Sequence, residues 1–224
     1  MKIHVSIIGF VLVLVGSTAW AQRIPSIPIG SKGMTGSAGV GFVDFTTFSP
    51  SSSDVKFDRG TFITASIERP FNFLNLHLVL SIGHMSANGE ANYQYEKNGT
   101  TYTANGLPFR ATLLDVGLGL KMKAFESYWF RPYIGGGGLG GYHEISYTRT
   151  DQLAAQGSEY KSKDTLMGSG YYGEVGIEIE FTERFGVQLA GRLSEYSSKS
   201  LETLGGKKLG FRTETYYFSA LIGF

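Results

Sequence analysis

The chain has 224 residues, with 20 Lys and Arg against 19 Asp and Glu, and no cysteine. A near-neutral balance excludes the basic footprint of a nucleic-acid binder, and the missing cysteine excludes a disulfide scaffold or a thiolate metal site. Thirty-one glycines, thirteen tyrosines and sixteen phenylalanines in a chain of average hydropathy suggest twisted strands and aromatic belts, not an ordinary globular core.

Residues 1–21, MKIHVSIIGFVLVLVGSTAWA, carry Lys2, an apolar stretch over residues 5–15, and Ala19-Trp20-Ala21. That is the layout of a secretory signal peptide cut before Gln22. The apolar run falls short of the roughly 20 residues that a membrane helix needs. Its removal takes away one charge, Lys2, and leaves 19 basic and 19 acidic residues (20 − 1 against 19). With no cysteine after the cleavage site there is no lipoprotein anchor, and nowhere else is an apolar run long enough for a membrane helix.

After a tail at 22–33, residues 34–224 read as eight alternating segments: 34–48, 59–69, 73–95, 100–124, 128–149, 166–182, 185–197 and 210–224. Short connections fall at RPFN (69–72), AFES (124–127) and TER (182–184). Longer polar ones fall at 49–58, around EKNG (96–99), at 151–164 and at 198–208. Short turns alternating with long loops and an even strand count predict an all-β fold, an eight-stranded antiparallel up-and-down transmembrane barrel with short periplasmic turns and longer extracellular loops. In lipid such a sheet must close, because an open edge leaves backbone groups without partners.

Period-two faces support this. In the fourth segment Leu114, Val116, Leu118, Leu120 and Met122 oppose Asp115, Gly117, Gly119, Lys121 and Lys123. In the sixth, Val175, Ile177, Ile179 and Phe181 oppose Glu174, Gly176, Glu178 and Glu180. In the seventh, Val187, Leu189 and Leu193 oppose Gln188, Arg192 and Ser194. In the last, Tyr216, Phe218, Ala220, Ile222 and Phe224 form one apolar row. A soluble barrel inverts these faces; the secretion signal, the loop asymmetry and the terminal phenylalanine point to lipid outside. Aromatics sort by end. Phe71, Phe73, Phe125, Trp129, Phe130, Phe181, Phe185 and Phe224 lie near short turns, and Tyr93, Tyr95, Tyr142, Tyr147, Tyr171 and Tyr196 lie toward long loops, as two interfacial girdles require.

The row ending in Phe224 resembles the C-terminal signal of outer-membrane proteins, and the resemblance implies recognition by the barrel assembly machinery. The stretch RPYIGGGGLGGYHE (131–144) is similar to a strand common in small eight-stranded barrels of the OmpA-like, opacity-like superfamily, which includes OmpX- and OmpW-type proteins. The resemblance implies an outer-membrane location, contact with outer-membrane lipids and lipopolysaccharide, and a monomer. No peptidoglycan-binding segment follows, so anchoring to the cell wall is not implied.

Three motifs carry potential chemistry. Gly135, Gly136, Gly137, Gly138, Gly140 and Gly141 contain a G-x-G-x-x-G match, but a dinucleotide site needs a strand-to-helix turn; inside a strand, close packing explains them better. Asn98-Gly99 suits a two-residue type I′ hairpin turn better than glycosylation. In GHMSANGE, His84 and Ser86 share the face of Leu80 and Ile82, an arrangement similar to the His-x-Ser of outer-membrane lipid A deacylases, in which histidine activates a lipid-facing serine. That family continues Ser-Asn, whereas Ala87 separates Ser86 from Asn88 here, and neither Glu90 nor Glu96 is placed to orient His84. No catalytic, cofactor or metal residue is assigned; His77 and His143 form no ligand cluster by spacing.

A lumen of eight strands is just wide enough for side chains to fill. Parity sends Glu68, Asp115, Lys121, Glu174, Glu178 and Arg192 into it. A tight turn at 182–184 pairs Phe181 with Phe185, which sets Glu178 opposite Gln188 and Glu174 opposite Arg192, within reach of an ion pair. The expectation is a non-enzymatic structural or surface-interaction protein working through its extracellular loops. The alternative is a narrow OmpW-like channel for small or hydrophobic solutes, which a hydrophobic lumen with a lateral opening would favour.

Overall fold

A computed structural model describes residues 33–47, 55–71, 75–125, 128–148, 161–182, 184–204 and 208–224. Among these, every regular element is a strand: β1 Thr35–Thr47, β2 Val55–Phe57, β3 Gly60–Pro70, β4 Leu76–Lys97, β5 Thr100–Lys123, β6 Phe130–Tyr147, β7 Lys163–Glu180, β8 Phe185–Ser200 and β9 Lys208–Gly223. Strands β3 to β9 pair antiparallel in chain order, and β1 pairs with both β3 and β9. Eight strands therefore close on themselves, and β2 adds a short rung to the outer part of β4. Closure satisfies the wall's backbone groups without water. Residues 1–21, expected to be a signal peptide, and most of the tail lie outside the described residues.

Which face is out decides the solvent. On β5, Leu114, Val116, Leu118, Leu120 and Met122 are 43–57% exposed, while Asp115, Lys121 and Lys123 are at most 3% exposed. On β9 the exposed row is Tyr216, Phe218, Ile222 and Phe224, against buried Thr215, Tyr217, Ser219 and Leu221. An apolar exterior around a charged interior is stable in a bilayer and not in water. The band on β5 spans 114–122, the about nine to eleven residues of a tilted crossing strand.

The turn at 182–184 forms as the sequence requires. Phe181 N donates to Phe185 O at 2.9 Å, and Thr182 Oγ1 accepts from the Arg184 and Phe185 amides at 3.3 and 3.0 Å. Glu178 stands opposite Gln188 and Glu174 opposite Arg192.

Several boundaries differ from the sequence reading; β7 starts at Lys163 instead of 166, and β8 runs to Ser200 instead of 197. Strand β3 runs through Arg69 and Pro70, which were expected in the first turn (69–72); Pro70 sits at the strand end, where a missing amide is tolerated. The segment expected to start at 73 starts at Leu76, and Phe73 lies outside the described residues. The connection at EKNG is no long loop. Asn98 and Gly99 have φ of 52° and 79°, a two-residue turn whose twist matches the flanking strands, so the chain's outer residues go into a ladder from Ala87 to Lys97, roughly 30 Å beyond the apolar band. The loop expected at 49–58 contains β2.

The aromatic girdles are half as expected. Phe71, Trp129, Phe181, Phe185 and Phe224 are exposed near the short turns, but Tyr93, Tyr147 and Tyr196 are buried inside the barrel. Tyr93 has the parity of Met85, which faces the lumen; position along the strand alone misassigned it. The outward aromatics at the other end are Tyr142 and Tyr171, with Phe42 and Tyr216.

Closure between first and last strands ends on Phe224, whose amide and carbonyl each bond Met34 at 2.9 Å. Deleting Phe224 removes that rung and the ring over Gly36. Folded, heat-modifiable protein in the membrane should fall severalfold, whereas Thr101→Ala at the outer tip should not change it. Normal levels of the truncated protein would refute Phe224's role in closure.

Candidate functional site

The lumen changes character at mid-height. Following inward positions from the short-turn end, β3 runs Glu68, Ser66, Thr64, Phe62, and β5 runs Lys123, Lys121, Asp115, Leu113, Phe109, Leu107. Strand β4 does the same, from His77 and Ser81 to Met85, Ala91 and Tyr93. The inner half is polar and ionic, the outer half apolar.

Four charges cross the inner half. Lys121 Nζ bonds Glu68 and lies 3.3 Å from Glu178 Oε1. Lys123 Nζ lies 2.8 Å from Glu68 Oε2 and 2.7 Å from Glu178 Oε2. Two cations and two anions, each touching both opposites, cancel with almost no water; all four are at most 3% exposed. His77 Nδ1 lies 3.9 Å from Glu68, and Arg131 pairs with Glu180 nearby. Lys123 and Arg131 were missing from the expected lumen set, although Lys123 has the parity of Lys121.

Glu174 and Arg192 face inward as neighbours, but the expected ion pair is replaced. Glu174 accepts from Tyr133 Oη at 2.8 Å and from Tyr217 Oη at 2.6 Å, while the Arg192 guanidinium stacks 4.1 Å over the Tyr172 ring and donates to Ser194. The two phenols give each carboxylate oxygen one donor, and an aromatic face takes the cation. Gln188 donates to Tyr133 and Tyr217, tying the set together. Room for these rings comes from glycine: a Cβ at Gly119 would meet the Tyr172 hydroxyl. The glycine-rich stretch thus lies wholly in β6, a strand wall without the helix that a dinucleotide needs. Above this level Tyr196 Oη donates to Asp115 at 2.5 Å, and its ring meets His143 edge-on.

The outer half is packed with Phe62, Met85, Tyr93, Tyr102, Leu107, Phe109, Leu113 and Ile145. Its mouth is bridged by residues 201–204. Leu201, Thr203 and Leu204 are buried there. Thr203 donates to Asp164 Oδ2 through its amide at 2.9 Å and its hydroxyl at 2.5 Å, and its hydroxyl also meets Tyr147 Oη at 3.0 Å. Across the mouth, Gln94 N donates to Thr203 O at 3.0 Å. Lys161 Nζ bridges Asp164 and Glu202, each at 2.7 Å. Both Asp164 and Thr203 were read as loop, so nothing in the spacing revealed this clasp.

Outside the barrel, His84 and Ser86 sit half-buried above Leu80 and Ile82, as parity requires. Ser86 Oγ accepts from Arg110 Nε at 2.9 Å. An activated serine gives its proton to a base; among the described residues no hydrogen bond joins Ser86 to His84, and the serine oxygen instead accepts from a guanidinium.

A closed eight-stranded barrel with a lipid-facing exterior and a charged interior is an outer-membrane β-barrel. The chain belongs to the outer membrane protein beta-barrel domain family, whose model matches residues 8–221. No curated protein matches its sequence. Among solved structures it is similar to OprG of Pseudomonas aeruginosa, at 18% identity and a TM-score of 0.50, over 88% of this chain and 96% of that one. The Neisserial surface protein A is similar at 12% identity and 0.47, over 87% and 98%. The attachment invasion locus protein of Yersinia pestis is similar at 9% and 0.44, over 86% and 100%. At these identities the likeness to OprG concerns the fold alone.

Proposed function

We propose that this is a closed, non-enzymatic outer-membrane barrel with a structural or surface-interaction role, exercised through its outer ladder and loops. One observation carries the reading: the lumen is blocked on both sides of a small polar cavity lined by Thr64, Ser81, Glu174, Gln188 and Arg192, by the four-charge cluster below and by the aromatic packing and the 201–204 segment above. With no free passage, the surface offered to other molecules is the outer end, chiefly the β4–β5 hairpin. At the other end, Phe224 is the contact through which the barrel assembly machinery takes the chain.

The non-enzymatic part rests on Ser86, which accepts from Arg110 and among the described residues makes no hydrogen bond to His84. Ser86→Ala should leave lipid A acylation unchanged in cells that express it. A difference of one acyl chain in lipid A mass between the two strains would overturn this part of the reading.

A second reading, a narrow conduit for small apolar solutes, draws on the apolar outer half and on one seam. The β1–β3 ladder ends at Val43–Gly60, and β2 pairs with β4. Phe45 and Phe57 stack at 5.1 Å across this seam and border a small, partly open pocket with Leu113, Ile145 and Leu166. The ionic inner half counts against passage through the barrel and leaves only a lateral route to this reading.

A further inference from the structure

The His84–Ser86 stretch has a place on the barrel that catalysis does not use. Two polar rows cross the outside of β4 to β7 in register: Asn88, Arg110, Ser146 and Lys163, then, one step nearer the membrane, Ser86, Thr112, Glu144 and Thr165. The next row, His84, Leu114, Tyr142 and Met167, begins the apolar band. Polar chemistry therefore dips deepest on β4, at His84, between Ile63 and Leu114.

The cations around this rim are not equivalent. Arg59 is matched by Asp44 at 2.9 Å, Lys163 by Glu144 at 2.6 Å and Arg212 by Glu195 at 3.0 Å. Arg110 is held by the Ser86 hydroxyl, and among the described residues no carboxylate pairs with it. Two acids stand one step off in register: Glu144, which is taken by Lys163, Ser146 and Tyr142, and Glu90 on β4, which makes no ion pair with Arg110. The direction of Arg110 is also unusual. Its Cα stands opposite Asn88, yet its Nε reaches Ser86, one row closer to the bilayer. An arginine at a membrane edge ordinarily snorkels toward water. This one is drawn the other way, which places a positive planar fork at headgroup depth.

We infer that this patch is a binding site for the phosphate of an outer-leaflet glycolipid of the lipid A type. The guanidinium's remaining N–H groups give a bidentate fork to two phosphate oxygens, which an ammonium cannot do. His84 and Asn88 bracket it over about 13 Å of strand, enough to span a phosphorylated sugar and offer it two further polar groups. Below, Leu114, Ile82 and Ile63 take an acyl chain. Ser86 acts as a positioning residue: it fixes where the fork points.

The test is native mass spectrometry of the full protein in mild detergent, titrated with bis-phosphorylated lipid A, with heat-modifiability confirming that each variant is folded. Wild type should retain one lipid A. Arg110→Ala should weaken retention about tenfold or more. Arg110→Lys and Ser86→Ala should weaken it severalfold, the first losing the fork and the second its direction. Lys163→Ala, whose cation is already neutralised, should stay within about twofold. Dephosphorylated lipid A should bind wild type about tenfold more weakly and gain nothing from Arg110. Equal retention by wild type and Arg110→Ala, equal binding of the dephosphorylated lipid, or displacement by millimolar inorganic phosphate would each overturn the proposal.

Discussion

Glu178→Leu should lower the barrel's unfolding free energy by about 3–5 kcal/mol, the range for stranding one partner of a buried ion pair. The charge count gives the reason. Glu178 and Glu68 together neutralise Lys121 and Lys123, and each lysine touches both carboxylates. Without Glu178 the cluster carries an uncompensated positive charge at a site with almost no water, and Glu68 alone must serve two ammonium groups. Adding Lys123→Met removes that excess, leaving the single pair Lys121–Glu68. The double variant should therefore recover most of the loss, even though it deletes more contacts than the single one. A double-mutant cycle on urea midpoints in lipid reads the difference directly. If the double variant is less stable than Glu178→Leu alone, the cluster's neutrality is not what holds the inner lumen together.

Asp164→Ala should release the outer mouth. Asp164 accepts twice from Thr203 and pairs with Lys161, and it is 3% exposed. Hydrogen bonds to a charged group contribute about 1.5–3 kcal/mol each, so losing this clasp raises the open fraction by on the order of a hundredfold. The probe is a cysteine at Leu204, the last residue of the segment, whose side chain is buried in the closed form. Its labelling by a water-soluble maleimide should be slow in Leu204→Cys and about a hundredfold faster when Asp164→Ala is added. Burial alone would lower the Lys161 ammonium's pKa, but its hydrogen bonds to Asp164 and Glu202 outweigh that and lift it to about 12. The Lys161 ammonium therefore stays charged through the physiological range, so it gives the labelling difference no pH dependence there. Equal labelling rates would mean that the segment is held by its leucines, not by Asp164.

Much of the wall was legible because a strand in lipid obeys a strict period of two. The rows Leu114–Met122 and Tyr216–Phe224 announced their faces, and the short TER turn announced the register that seats Glu174 opposite Arg192. What the period does not carry is the partner across the lumen. Parity places Glu174 inside, but whether it meets Arg192 or two phenols depends on Tyr133, set diagonally on the neighbouring β6, and on Tyr217, two strands away on β9. The same holds for the Asp164–Thr203 clasp, where two loop-like stretches meet with no repeating signal in either. Hairpin length was misjudged for a simpler reason: polar residues around Asn98-Gly99 looked like a loop, yet a ladder outside the membrane is polar on its outer face too. The chemistry at His84 and Ser86 was correctly located on the exterior. Its meaning came from Arg110, a residue whose spacing gave no hint that it leans toward Ser86.

The closed lumen is the claim on which the proposed function depends, and planar-bilayer recording of the refolded full protein tests it most directly. The filled inner and outer halves predict no discrete conductance steps above the leak of the bare bilayer. Reproducible unitary openings from the wild-type protein, scaling with salt as an aqueous pore does, would contradict it.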